Sequence, residues 1–301
     1  MDKLAISFSG GRSSALMTWL CLYDEKYRDY EKVVCFANTG WEHPATLDFV
    51  RDCDEHWGFN TVWLEAVVDP IADVGIRHKI VDYKTASRNG EPFKAMAAKY
   101  GLPNPTSPMC TSRLKEDVLH SYRKSLGWVG GKNRNYYTAI GIRADEIDRF
   151  SAKAKELKII YPLAEFGITK AKVNMILGEK PWDLKLPSDA EGNCRGCWKK
   201  SDRKLFTLAK TAPDAFKVAR ELEEAYGHVK AKYPDGTPYK ATGPDGRRHM
   251  YRGHRDSTDI LQQAKELQEM RLYTDQTQIS IFDALLDLGG SCDQGCEAFH
   301  G

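Results

Sequence analysis

Short apolar runs recur along the first half of the chain, with polar or helix-forming segments between them. Runs of this length, rich in β-branched and aromatic residues, are typical of buried strands. The segment between the second and third runs begins with Pro44 and ends with Gly58, as a helix often does. This strand–helix–strand spacing predicts an α/β fold with a doubly wound parallel sheet. The predicted strands are residues 3–6, 32–37, 60–68, 135–146 (which runs into a polar loop) and 158–163.

The pattern changes near residue 170, where helical periodicity broken by loops replaces the short apolar runs. Residues 203–227 and 256–270 have this helical periodicity. The segment between them carries two Pro-Asp-Gly turns, which predict a hairpin or a mobile arm. We therefore expect a domain boundary near residue 170. The predicted units are a nucleotide-binding domain over residues 1–170 and a mainly helical, cysteine-containing region over residues 171–301.

Composition limits the classes of protein to which the chain can belong. Its 301 residues are 42% apolar, enough for a substantial core. Lys and Arg total 44 against 42 Asp and Glu, so any site for a polyanion must be local. No apolar run approaches the roughly 20 residues that span a bilayer, and the N-terminus does not resemble a signal peptide. We expect a cytoplasmic protein that does not contact the membrane, and an oligomer is compatible with this composition.

The segment SFSGGRSSALM, Ser7 to Met17, lies between a predicted strand and a predicted helix. Glycine permits positive φ angles, and the first turn of a helix offers unpaired N–H groups and a positive dipole end. Serine hydroxyls can cap the helix and donate to phosphate oxygens. The segment therefore predicts an anion site, and the alternative is a serine-capped turn without a ligand.

Two further polar loops follow predicted strands. Asn38, Thr39 and Gly40 follow the second strand, where they suit the base or ribose of a nucleotide. The loop GIRADEIDR, residues 141–149, carries Arg143, Asp145 and Glu146, which suit phosphate or a metal ion. An ordinary turn and a solvated charge cluster are the respective alternatives.

The chain has eight cysteines, which form two groups. Cys21, Cys35 and Cys53 lie in apolar or helical segments and are expected to be core residues. The other five are compatible with a structural zinc site, an iron–sulfur cluster or redox-active thiols. These five are Cys110, the C-x-x-C pair Cys194 and Cys197, and the C-terminal pair Cys292 and Cys296.

Several segments, taken in order, resemble the phosphoadenosine phosphosulfate reductase-like family of the PP-loop ATP pyrophosphatase superfamily. The resemblance covers about residues 3–201 and is greatest to phage and bacterial members and to the sulfurtransferases of DNA phosphorothioation. The segments are SFSGGRSSALM, FANTGWEHPATLDFV, CTSRLK, GIRADE, YPLAEFGITK and NCRGCWKKS.

The resemblance implies an adenine nucleotide α-hydrolase-like (HUP) fold that binds ATP or another adenine nucleotide, with Mg²⁺ as a candidate ion. It also favours a [4Fe-4S] cluster over Zn²⁺, because several members ligate such a cluster at matching cysteines. The implied nucleotide-binding residues are Ser7, Ser9, Gly10, Gly11, Arg12, Ser13, Ser14, Asn38, Thr39, Gly40 and Gly141. The implied catalytic residues are Arg12, Arg143, Asp145, Glu146 and Cys296, and the implied metal ligands are Cys110, Cys194, Cys197 and Cys292.

Two departures from the family pattern bear on the chemistry. Ser13 stands where the usual ATP-cleaving loop has Asp, so Asp145 or Glu146 would have to hold Mg²⁺. The chain has no adjacent Cys-Cys pair and ends in CEAFHG, not in the Glu-Cys-Gly tail of sulfonucleotide reductases. Cys296 can still act as a nucleophile near a C-terminus that moves easily.

The main hypothesis is a sulfur-transfer enzyme that adenylates its substrate with ATP, while loop amides and Arg12 stabilise the charge on pyrophosphate. One alternative is a thiol-dependent sulfonucleotide reductase in which Cys296 or Cys292 attacks sulfur. Such enzymes need a sulfur donor or a thiol reductant protein as partner.

The other alternative is a nucleotide- or nucleic-acid-binding module without catalysis. Basic and aromatic residues alternate over residues 226–255, a pattern that suits binding of the backbone and bases of tRNA or DNA. The alternative is a solvated hairpin that binds no ligand. The residues concerned are Lys230, Lys232, Lys240, Arg247, Arg248, Arg252, Arg255, Tyr233, Tyr239 and Tyr251.

Overall fold

The computed structural model describes residues 1–274 and Leu286, and its centre is a six-stranded sheet. The strand order is β4-β3-β2-β1-β5-β6, and every neighbouring pair is parallel except β3 and β4. The predicted α/β fold is therefore confirmed. The strands are β1 (Asp2–Ser7), β2 (Tyr30–Ala37), β3 (Val62–Val67), β4 (Arg77–Val81), β5 (Tyr136–Ala139) and β6 (Ile159–Ile160).

Helices cover both faces of this sheet. They are α1 (Arg12–Tyr23), α2 (Pro44–Trp57), α3 (Glu91–Tyr100), α4 (Met109–Thr111), α5 (Asp117–Ser125), α6 (Pro162–Glu165), α7 (Lys170–Gly178), α8 (Asp202–Thr211), α9 (Lys217–Tyr226) and α10 (Ser257–Glu266). A π-helical turn, Ser112–Glu116, joins α4 to α5. Helix α2 begins at Pro44 and ends at Trp57, and it is capped by Gly58, whose φ of 61° is left-handed, as its sequence predicted.

The long helix expected over residues 203–227 is interrupted. Helix α8 ends at Thr211, a 3₁₀ turn spans Pro213–Phe216, and α9 begins at Lys217. Proline lacks the N–H that an uninterrupted helix would need and its ring clashes with the preceding turn. Pro213 therefore explains the break.

Strand β4 was not anticipated from the apolar pattern. It pairs antiparallel with β3 at the edge of the sheet, and Ile80 on this strand is 64% exposed. An edge strand is not buried on both faces, so its sequence, RHKIV, carries no continuous apolar run.

Two hydrophobic cores lie on the two faces of the sheet. One contains Leu4, Ile6 and Phe36 with residues of α1 and α2. The other contains Cys35 and Leu64 with residues of α3, α5, α8, α9 and α10. Helices from after residue 170 therefore share a core with the sheet, and the proposed division near residue 170 stays a prediction. Within the described residues, no helix is both long and apolar enough to cross a membrane.

The parallel strands bring three predicted loops to one edge of the sheet. Strands β1, β2 and β5 run in the same direction and end at Ser7, Ala37 and Ala139. The glycine loop, the Asn38 turn and the loop that begins near Gly141 therefore start side by side, where ligands bind in open α/β sheets.

Candidate functional site

The glycine loop between β1 and α1 is held by its own side chains. Ser14 Oγ accepts hydrogen bonds from Ser9 N at 3.1 Å and Gly11 N at 3.3 Å, and donates to Gly11 O at 2.9 Å. Gly10 has a φ of 78°, and a Cβ there would lie 2.6 Å from Thr46 Cγ2. Glycine is therefore required at position 10. The first-turn amides of α1 have no intrahelical acceptors, which suits an anion.

Arg12 does not extend freely into this loop. Its Nε and Nη2 donate to Asp183 Oδ1 and Oδ2, both at 2.8 Å, and Nη2 also donates to Leu184 O at 2.8 Å. This bidentate pair ties α1 to a segment 171 residues further along the chain. Arg12 thus holds together two parts of the candidate site.

That segment forms the second wall of a pocket beside the glycine loop. The space is about 570 Å³, part of it open to solvent, and mixes apolar with polar groups. Its lining includes Ser9, Gly10, Gly11, Arg12, Thr46, Leu184, Leu186, Asp189, Gly192 and Asn193.

The GIRADE loop packs directly onto the start of α1. A Cβ on Gly141 would lie 3.0 Å from Ser14 Cα, so the two backbones approach closely. The buried Arg143 donates from Nη1 to Ser13 Oγ at 3.1 Å and from Nε to Asp145 Oδ1 at 3.2 Å. Arg143 also lies 3.4 Å from Glu146 Oε1. Ser13 is therefore adjacent to a guanidinium whose charge is balanced by acidic neighbours.

Asn38 is fully buried and braces the turn after β2. Its Nδ2 donates to Glu65 Oε1 at 2.6 Å and to Ser87 O at 2.9 Å, and its Oδ1 accepts from Gly40 N at 3.1 Å. Glu65 also accepts from Ser87 N and lies 2.8 Å from Lys79 Nζ. Sequence reasoning missed Glu65, although a lone carboxylate inside the apolar run VWLEAVV was a usable signal.

Thr39 and Glu42 connect this turn to the C-x-x-C segment. Thr39 Oγ1 donates to Glu42 Oε1 at 2.8 Å and lies 3.4 Å from Cys194 Sγ. Glu42 and Cys194 form an isolated antiparallel bridge. The predicted adenosine-binding turn and the C-x-x-C pair are therefore neighbours.

Cys110, Cys194 and Cys197 line one cavity, together with the aromatic rings of Trp41, Phe93 and Trp198; its empty space of about 340 Å³ includes open solvent. Both cysteines of the C-x-x-C pair are buried. Between them, Gly196 is required, because a Cβ there would lie 2.6 Å from Trp41 Cζ2. The tertiary structure thus brings Cys110 next to a C-x-x-C pair that lies far from it in sequence.

The thiol cavity does not by itself form a metal site. Within the described part of the chain, no group of three or more His, Cys, Asp or Glu side chains is arranged to hold a metal ion. The predicted fourth ligand, Cys292, and the predicted nucleophile, Cys296, lie outside the described residues.

The remaining three cysteines are core residues, as expected. Cys21, Cys35 and Cys53 are buried. Burial raises the pKa of the Cys35 thiol to about 12 and raises the pKa values of the other two further. These thiols stay protonated and unreactive.

Residues 226–255 divide between structural and exposed roles. Arg248 is buried and donates to Leu102 O at 2.7 Å, Arg252 donates to Lys200 O at 2.6 Å, and Arg255 pairs with Asp202. Tyr251 is also buried, and its hydroxyl donates to Gly196 O at 2.9 Å. The exposed basic residues of the segment include Lys230, Lys232, Lys240 and Arg247.

Comparison with known proteins gave two findings. Residues 3–99 match the family described as "Phosphoadenosine phosphosulfate reductase domain". The chain is also 32% identical over 300 residues to "Uncharacterized nin region protein ORF290" of Escherichia phage lambda, covering 98% of this chain and 95% of that protein.

Proposed function

We propose, since this chain belongs to the phosphoadenosine phosphosulfate reductase-like family, that it is a nucleotide-dependent sulfur-transfer enzyme. The family's chemistry involves adenine nucleotides and sulfur. The finer proposal is that the enzyme adenylates an acceptor with ATP and then transfers sulfur to it.

One observation carries the proposal: the pocket at the glycine loop and the thiol cavity share a continuous segment. Asn193 lines the first and Cys194, the next residue, lines the second. An adenylated intermediate bound in the first pocket would lie close to the thiols of the second.

In the proposed reaction, an acceptor oxygen attacks the α-phosphorus of ATP and pyrophosphate leaves with the electrons of the broken P–O bond. A sulfur nucleophile from the donor then attacks the activated acceptor carbon or phosphorus and displaces AMP. The glycine-loop amides stabilise the charge that develops on pyrophosphate. Arg12 holds the pocket wall through Asp183, and Arg143 orients the Ser13 hydroxyl by donating to its Oγ.

Cofactors form a separate part of the proposal. Mg²⁺ accompanies ATP, and Asp145 is the more exposed of the two carboxylates proposed to hold it. Cys110, Cys194 and Cys197 supply three thiolates for a [4Fe-4S] cluster or Zn²⁺, with Cys292 as the fourth ligand. Metal analysis and an absorption spectrum of anaerobically purified protein test this part. Bound iron with broad absorbance near roughly 400 nm is the result expected for the cluster.

A thiol-dependent sulfonucleotide reductase is the second candidate, favoured by the three thiols in one cavity. In that reaction Cys296 or Cys292 attacks the sulfur of an adenylyl sulfate, AMP leaves with the electrons of the broken S–O bond, and a protein thiosulfonate forms. A thiol reductant protein then releases sulfite and leaves a disulfide.

One pair of measurements separates the candidates. We expect full-length protein with ATP, Mg²⁺, tRNA or DNA as acceptor and sulfide as sulfur donor to release AMP and pyrophosphate, and adenylyl sulfate to leave no thiosulfonate adduct in intact-mass spectra. An adduct without pyrophosphate release would favour the reductase, and the absence of both activities would contradict an enzymatic function.

For the acceptor, we propose tRNA or DNA that contacts the exposed Lys230, Lys232 and Lys240. Replacing these three lysines by glutamine is expected to weaken nucleic-acid binding in a gel-shift assay and to lower its salt dependence. Unchanged binding would reject this partner surface.

A further inference from the structure

Two loops lie together at the edge of the sheet opposite the glycine loop. Residues 126–135 precede β5 and residues 151–158 precede β6, and both strands are parallel to β1. In a parallel sheet, the loops before the strands lie at the edge opposite the loops that follow them. Arg134 Nη1 donates to Leu157 O at 2.8 Å, which joins the two loops. Together with the last turn of α5 they form one surface, called the basic face below.

The basic face is rich in lysine and arginine. Its two loops carry five basic residues and one acidic residue, and the chain has no Asp or Glu from position 118 to position 144. Four lysines of the face are exposed, and within residues 1–274 their ammonium groups form no ion pair or hydrogen bond. These are Lys124, Lys132, Lys153 and Lys155.

The carboxylates near the basic face do not balance it. Asp117 pairs with Arg113 at 2.8 Å, and Glu31 lies 4.0 Å from Lys3. Three more are exposed along this edge, and two of them stand at the starts of β1 and β2, away from β6: Asp2, Asp29 and Glu156. The part of the edge at β5 and β6 is therefore positively charged.

A histidine on α5 responds to this charge. Burial lowers the pKa of His120, and Arg123, Lys124 and Arg134 lower it further, whereas Asp117 opposes them. Three cations act on this imidazole against one carboxylate. The local potential at the basic face is therefore positive, as the lysines indicate.

Partly exposed aromatic rings accompany the cations. Lys158 Nζ lies 5.4 Å from the centroid of the Tyr137 ring, and Tyr137 packs edge-on with Tyr30, with the centroids 5.9 Å apart. Neither tyrosine is fully buried. Proteins bind single-stranded nucleic acids by combining positive charge for the phosphates with aromatic rings on which bases stack.

We propose that the basic face binds a single-stranded nucleic acid, with its four exposed lysines at the phosphates and Tyr137 stacking on a base. The face goes beyond the proposed reaction, because it lies at the edge of the sheet opposite the glycine loop. It holds the strand and takes no part in the chemistry. Its residues are also different from the lysines of residues 226–255 proposed above as acceptor contacts.

Fluorescence anisotropy of the full-length protein with a labelled oligothymidine of about 20 nucleotides tests this proposal. Replacing the four exposed lysines by glutamine should raise the Kd about tenfold or more at low salt. Each phosphate contact to a single strand adds about 0.7 to the slope of log Kd against log salt concentration, so that slope should fall by up to about 3. Tyr137→Leu should weaken binding without changing the slope.

The matched control replaces four exposed lysines on other elements by glutamine, so the net charge changes by the same amount. It should change the Kd by less than about twofold, because charges further than a Debye length from the strand are screened. The control positions are Lys84, Lys172, Lys217 and Lys265.

Equal weakening by the two fourfold variants, or no binding of oligothymidine by the unmodified protein, would overturn the proposal. Binding to phosphatidylserine vesicles without binding to oligothymidine would overturn it in favour of a membrane surface. Unchanged binding in Tyr137→Leu would overturn the stacking role. The assay contains no ATP and no sulfur donor, so failure of the proposed reaction and failure of this inference are observed separately.

Discussion

At the scale of single residues, Ser13 is the departure with the clearest chemical consequence. Its hydroxyl accepts a hydrogen bond from the buried Arg143, whose charge is balanced by Asp145 and Glu146. A carboxylate at position 13 would stand in the same place, beside the glycine loop, and supply a hard oxygen ligand for Mg²⁺.

We therefore predict that Ser13→Asp raises the rate of pyrophosphate release from ATP by about tenfold, since metal ions stabilise the charge of the leaving group. Steady-state rates at saturating Mg²⁺ measure this. Ser13→Asn, of similar size but uncharged, is the matched control and should leave the rate unchanged. Equal rates in the two variants would show that the carboxylate contributes nothing here.

Glu223 is a second residue with a measurable consequence. Burial raises the pKa of its carboxyl to about 7, although hydrogen bonds from Ser257 N and Oγ oppose the shift. The folded protein therefore binds a proton more tightly than the unfolded chain does. Folding stability decreases as pH rises from the unfolded pKa, about 4.3, to the folded pKa.

Glu223→Gln should accordingly raise the free energy of unfolding at pH 8 by a few kcal/mol, on the order of the pKa shift times 1.36 kcal/mol. The amide oxygen can still accept from Ser257, so the gain should disappear near pH 4. Urea unfolding across this pH range measures the difference. A gain that does not vary with pH would mean that ionisation of Glu223 is not its cause.

At the scale of elements, the C-x-x-C turn is held by parts of the chain distant in sequence. The bridge from Glu42 fixes one side of the turn, and the Tyr251 hydroxyl bonds to Gly196 O on the other. Arg252 donates to two carbonyls immediately after the turn. Part of the basic, aromatic segment therefore supports the thiol cavity.

We predict that Tyr251→Phe lowers the free energy of unfolding by about 1–3 kcal/mol, because Gly196 O loses its buried donor. It should also speed the alkylation of Cys194 and Cys197, since the turn is less restrained. Urea unfolding and mass spectrometry of iodoacetamide-treated protein measure these effects. Tyr233→Phe, at an exposed position, is the control; equal effects of both substitutions would contradict the supporting role of Tyr251.

At the scale of the whole molecule, one segment joins the two parts of the candidate site. Trp182 packs on α2, with its ring 4.6 Å from Trp57 and 5.0 Å from His56. Asp183 binds Arg12, and the residues that follow line the pocket beside the glycine loop and reach Cys194. The site therefore depends on contacts between distant parts of the chain.

We predict that Asp183→Asn weakens ATP binding and increases proteolysis within residues 179–193, because the partly buried Arg12 loses its charged partner. The expected loss of stability is about 1–3 kcal/mol, typical of a hydrogen bond to a charged group. Calorimetry and limited proteolysis measure the two effects.

Asp52→Asn, which breaks the more exposed pair with Arg51, is the matched control and should cost under about 1 kcal/mol. If both variants bind ATP as the unmodified protein does, Arg12 and Asp183 do not organise the pocket.

Sequence alone determined the sheet and the position of its loops. Apolar runs mark strands buried on both faces, and parallel strands carry the loops that follow them to one edge. The sequence indicated that the Ser9–Ser14 loop, the Asn38 turn and the Arg143 loop each follow such a strand. The edge strand β4 was missed because an exposed edge needs no apolar run. Pro213 was visible in the sequence, but its effect on the long predicted helix was not anticipated.

Only the tertiary structure decided which distant residues meet. The pair Arg12–Asp183, the grouping of Cys110 with Cys194 and Cys197, and the use of Arg248 inside the fold all join segments far apart in the chain. Sequence periodicity indicates which face of an element is buried. It does not indicate whether a basic side chain pairs with a carboxylate, a backbone carbonyl or a ligand. Packing of the helices after residue 170 onto the sheet selects among these partners, because burial removes water as the alternative.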